Sequence, residues 1–144
     1  MKQPGTKIEY SEERVRDLMR VHDEYIDTCK HIRMTELYKT IVDKPSKRFW
    51  VSETRCALVV SAMIRGEDIL DSMWPTKKEM FQELYNRVVV LKKLYPDKTM
   101  IELCTMAIYQ EAPKFYLSPG TAKVMISKYK KQWRREKMRR LRLL

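Results

Sequence analysis

Apolar residues recur at steps of three and four along most of the chain, the spacing of helices that bury one face. Ser11, Glu12 and Glu13 suit a helix N-terminus, and Val15, Leu18, Val21, Tyr25 and Ile26 carry that helix to about His31. A shorter helix is predicted over 35–43 with Leu37, Tyr38, Ile41 and Val42 as its stripe, closed by Pro45. Ser52 and Glu53 open a third helix, apolar nearly all round, that stops at Gly66. Within it Leu58-Val59-Val60 could be read as a core strand, but the length of the segment and its Ala and Met content favour helix. Residues 67–75 read as a connector, with a helical turn around Ile69 and Leu70. Thr76 with Glu79 fits a capping box for a helix running to Tyr95, where Pro96 intervenes. Thr99 with Glu102 is a second capping box, and Ser118 with Pro119 at the first helical position starts a last helix. The pattern predicts an all-α fold of about six helices and no strand, preceded by a flexible leader over 1–10.

The two halves match at an offset of 66 residues. Arg48-Phe49-Trp50-Val51-Ser52 aligns with Lys114-Phe115-Tyr116-Leu117-Ser118, and Leu58-Val59-Val60-Ser61 with Val124-Met125-Ile126-Ser127. Between 36–65 and 102–131 five positions are identical and eight conservative, too few to carry a duplication alone. The aromatic block, however, falls at the same place between its flanking helices in both halves. The expected organisation is therefore two tandem trihelical units, 11–66 and 76–144, that share one core because a unit this small buries too little surface by itself.

Composition narrows the function. No run of 18 apolar residues exists, so no membrane span is expected. Met1–Tyr10 holds no hydrophobic segment, so no secretory signal is expected either. Cys29, Cys56 and Cys104 are odd in number and widely spaced, which suits buried thiols and a reducing, cytoplasmic setting. His22, Cys29 and His31 are the only metal-ligand types clustered in sequence. On a helix His31 points about 160° away from Cys29, so no metal site is expected. Asp23, Glu24 and Asp27 read as a solvated helix face. With three glycines, no phosphate loop and no nucleophile beside a base, neither a cofactor nor an enzymatic activity is expected.

Charge supplies the strongest lead. The chain carries 30 Lys and Arg against 19 Asp and Glu, a net +11. Ten of those cations lie between 123 and 142: Lys123, Lys128, Lys130, Lys131, Arg134, Arg135, Lys137, Arg139, Arg140 and Arg142, with Glu136 as the sole acid. The remaining 124 residues hold 20 basic and 18 acidic side chains, so a near-neutral body ends in one basic helix. The short helix, connector and capped basic helix resemble a loose helix-turn-helix unit, although the linking segment, Gln110 to Leu117, is about twice the usual turn of three or four residues.

These features lead to a small nucleic-acid-binding protein, DNA before RNA, regulatory or serving a phage or mobile element. The ten cations would be its phosphate contacts, with Ser118 capping the helix so that its first amides can also face a phosphate. The aromatic pairs Phe49-Trp50 and Phe115-Tyr116, beside Arg48 and Lys114, are either base-stacking platforms or hydrophobic plugs. Their recurrence in both halves, only one of which is strongly basic, favours plugs. The ten methionines suit core filling. The alternative is a helical adaptor or assembly subunit that binds an acidic protein partner through the basic helix and its apolar residues Trp133, Met138, Leu141, Leu143 and Leu144.

Overall fold

The structure, a computed structural model, describes residues 7–142. Six helices follow in order: α1 (Lys7–Thr28), α2 (Met34–Val42), α3 (Glu53–Ile64), α4 (Pro75–Leu94), α5 (Met100–Ile108) and α6 (Pro119–Arg142). No strand occurs among the described residues, and 58–61 are helical. Residues 7–10 belong to α1 rather than to the leader expected over 1–10; residues 1–6 and Leu143 and Leu144 lie outside the described residues.

Local chemistry accounts for most boundaries. Ser52 accepts a hydrogen bond from the Arg55 amide and caps α3, and Gly66 follows its last turn with φ +80°, a left-handed conformation that costs glycine little. Thr99 and Glu102 form the expected reciprocal capping box of α5. The Thr121 amide donates to Ser118 Oγ at the start of α6. The capping box expected from Thr76 is absent. Trp74 occupies the N-cap and Pro75 the first helical position, because the fixed φ of proline starts the helix before Thr76 is reached. Ile69 and Leu70 lie in a turn, closed by the Met73 amide on Leu70 O, where a helical turn was expected.

The helices do not group by sequence half. α6 packs on α1 and α2, whereas α3 packs on α4 and α5. α2 makes no contact with α3, nor α5 with α6, so neither of the two helix pairs expected from the sequence packs as a helix-turn-helix. Two core clusters result instead of the single core expected. One joins Leu18, Val21, Leu37 and Ile41 to Ala122 and Ile126 of α6. The other joins Cys56, Val59 and Val60 of α3 to Phe81, Leu84, Leu103 and Ile108.

The connectors 43–52 and 109–118 cross between the two groups. Ser46 and Ala112, 66 positions apart, exchange both backbone hydrogen bonds at 2.9 and 3.0 Å. The Phe49 amide donates to Ile108 O and the Phe115 amide to Val42 O, both at 2.9 Å. Each of these bonds maps onto the other by the same 66-residue shift. That shift also carries the ends of α1 and α2 onto those of α4 and α5, and the start of α3 onto that of α6. The arrangement is a pseudo-twofold with its axis at the Ser46–Ala112 bridge. Successive aromatics part company there: Phe49 enters one cluster with Tyr116, and Trp50 enters the other with Phe115.

Candidate nucleic-acid interface

α6 is held to the fold by its first third. Ala122 and Ile126 are its only buried residues, both against α1 and α2. From Lys131 to Arg142 every side chain is exposed. At 1.5 Å per residue the helix runs about 24 Å beyond Ile126. Its sequence allows no other outcome, since cations recur there every one to three positions and cannot be buried without partners.

Among the described residues none of the ten cations forms an ion pair with a carboxylate. Lys137 lies over the Trp133 ring at 4.9 Å. Arg139, Arg140 and Arg142 fall in the last turn, where positive charge complements the helix dipole. Glu136, the segment's sole acid, is turned toward α1 and lines a shallow groove with Glu12, Val15, Arg16, Tyr129 and Trp133. The basic surface is therefore not neutralised from within the fold.

The four aromatics predicted as platforms or plugs are all buried. Phe49 stacks on Tyr116 with centroids 5.8 Å apart and planes 17° from parallel, and the Arg87 guanidinium lies over Phe49 at 4.8 Å. Arg48 lies between Trp50 and Tyr109, 5.0 and 4.4 Å from their ring centres. Lys114 sits over Tyr116 at 5.8 Å and pairs with Glu79. Cations and neighbouring rings thus occupy the faces that a base would need, and these side chains plug the crossing of the connectors. Tyr116 holds a positive φ of 56°, which a non-glycine residue adopts only where packing enforces it. Burial, with Glu83 and Glu79 nearby, pushes its phenol pKa up to about 12.

A polar knot at the same crossing escaped sequence reasoning. Asp17 is buried on α1, where it accepts from the Lys47 amide at 2.9 Å, from Ser46 Oγ at 3.0 Å and from Arg20 at 2.8 and 3.0 Å. Ser46 Oγ in turn accepts from Trp50 Nε1 at 2.8 Å. The signal was an acid at a position one removed from the Leu18–Val21 stripe. Its counterpart Glu83 is only half-buried and binds Arg87, which donates onward to Glu111 O at 2.8 Å.

The remaining chemistry-bearing residues are dispersed. His22 is buried with Nδ1 3.0 Å from Asp23, while the Cys29 thiol donates to His31 O, and no group of three metal-ligand types forms among the described residues. Asp23, Glu24 and Asp27 are exposed on α1. Cys56 and Cys104 meet between α3 and α5, where their mutual contact and burial push the Cys56 thiol pKa up and keep it protonated. No helix among the described residues is long and apolar enough to cross a membrane. Comparison with protein-family models, with curated proteins and with solved structures finds no match.

Proposed function

We propose that this chain is a small, non-enzymatic nucleic-acid-binding protein, for DNA before RNA, whose α6 contacts phosphates through Lys123, Lys128, Lys130, Lys131, Arg134, Arg135, Lys137, Arg139, Arg140 and Arg142. One observation carries the reading: ten cations without a carboxylate partner among the described residues, on a helix that leaves its core at Ile126. Like charges three and four residues apart oppose helix formation by a few tenths of a kcal/mol per pair, and an external polyanion relieves that repulsion. Purification without nuclease tests it. Nucleic acid should co-elute at low salt and separate at about 1 M salt, where the screening length falls to roughly 3 Å. Protein that is free of nucleic acid at low salt, and that a nucleic-acid column does not retain, would overturn it.

A second reading, an adaptor for an acidic protein, has its own support. Trp133, Met138 and Leu141 are each more than half exposed (53%, 53% and 54%) among the cations, as a helix seated in a partner's groove would need.

We also infer that the two halves are copies of one trihelical unit whose third helices are exchanged. The support is the common 66-residue shift of helix boundaries and crossing hydrogen bonds. Fragments 1–68 and 69–144 should each lack a third helix for their own group and regain cooperative melting only when mixed. Fragments that fold separately would contradict the exchange.

A further inference from the structure

The distribution of cations around α6 says more than their number. Viewed down the axis at roughly 100° per residue, Lys128, Lys131, Arg135, Arg139 and Arg142 form one row, spaced three, four, four and three residues apart. Lys123, Lys130, Arg134 and Lys137 form a second row, roughly 130° around the helix from the first. Ser127 and Met138 lie in the strip between the rows. That strip faces roughly 135° away from the line of Ala122, Ile126 and Trp133 that points to the core. Arg140 falls on the core line, beyond the fold.

Two cation rows flanking a narrow strip match a polyanion with two rails. A helix 10–12 Å across fits the major groove of B-form DNA, about 12 Å wide, with a phosphate strand on either side. The fully exposed stretch, Lys131 to Arg142, is about 17 Å long and covers about five base pairs at 3.4 Å each. A-form RNA has a deep, narrow major groove that excludes a helix. Single strands are held in concave grooves by stacked aromatics, but α6 is convex and the aromatic pairs of the connectors are buried.

We infer that α6 beyond Ile126 lies in the major groove of duplex DNA, its two cation rows on the phosphates of the two strands and Ser127 and Met138 toward the base edges. This rests on the proposed nucleic-acid-binding function and narrows it to one ligand. α3, the pseudo-symmetric partner of α6, stops at Ile64 before any such extension, so each chain offers one arm.

The test is fluorescence anisotropy of the full chain with a duplex DNA of ~20 base pairs, the RNA duplex of the same sequence and one DNA strand alone. The DNA duplex should bind about tenfold or more tighter than either alternative at 0.15 M salt. Two triple variants, K131A/R135A/R139A and K130A/R134A/K137A, should each flatten the log Kd against log salt slope by about 0.9 for every phosphate left unneutralised, with circular dichroism unchanged. Equal affinity for the RNA duplex or the single strand would overturn the groove assignment while sparing the broader function. A slope unchanged in one triple variant would overturn the two-strand contact. The absence of salt-sensitive binding to all three probes would end the broader function as well.

Discussion

α3 and α6 occupy equivalent places about the pseudo-twofold, yet only one outgrows its core. Both are capped by a serine at the same relative position, and Cys56 and Val60 of α3 match Ala122 and Ile126 of α6 as buried residues. α3 then meets Arg65 and Gly66 and ends. At the equivalent place α6 has Lys131 and Gln132 and continues to Arg142. The groove at the end of α3 is lined by Glu67, Asp68 and Asp71, whereas the continuation of α6 bears seven cations and one acid. A trihelical group is therefore complete without the extension. Residues 131–142 are all exposed, and none of their cations pairs with a carboxylate among the described residues.

The equivalence of the halves is most severely tested at the crossing. Phe49→Ala and Phe115→Ala should each destabilise the protein by about 3–5 kcal/mol, the usual cost of deleting a buried ring, measured by denaturant unfolding. A neutral effect at either position would break the pairing of the halves. A smaller asymmetry lies in the polar partners. Asp17→Ala strands the Lys47 amide and Arg20 and should cost about 1–3 kcal/mol. Glu83→Ala removes a half-exposed ion pair and should cost less than about 1 kcal/mol. Equal costs would mean that the buried knot at Asp17 is not what anchors its connector.

Tyr116 and Trp50 give the mildest contrast, in pH. Burial raises the folded-state phenol pKa of Tyr116 to about 12, above the ordinary value of about 10 for an unfolded chain. Because the folded pKa is the higher, the unfolded state releases its proton first. The contribution is full below pH ~10 and is lost as pH rises toward 12. Tyr116→Phe should flatten that alkaline fall in melting temperature, since neither phenylalanine nor the equivalent Trp50 titrates there. An unchanged alkaline profile would place the loss at another group.

Helix existence and most termini were legible because they depend on local facts: a serine before an acid, a proline at the first turn, a glycine after the last. The packing of α6 on α1 and α2, and of α3 on α4 and α5, was not. A periodic stripe specifies that a helix buries a face, and Val59-Val60 or Ile126 would show the same stripe against either half. Only a long connector hinted at it, since residues 109–118 exceed what a helix-turn-helix requires. Trp74 as an N-cap gave no side-chain signal, and nothing local marks Asp17 as the acid that binds the Ser46 connector. The candidate interface was legible in outline, because unpaired charge is a property of composition. Whether the aromatics stacked or plugged depended on tertiary burial at the connector crossing, beyond the reach of local pattern.

The most direct test compares the full chain with a chain ending at Gln132, using duplex DNA across a salt series. The truncation removes Arg134, Arg135, Lys137, Arg139, Arg140 and Arg142 with Glu136 but leaves Ala122 and Ile126 in their core. If the free end of α6 is a phosphate-binding arm, the melting temperature stays unchanged and binding weakens. The log Kd against log salt slope then becomes shallower by about 0.9 for each phosphate the shortened helix no longer neutralises. Equal affinity and slope for the two chains, with both folded, would contradict that role.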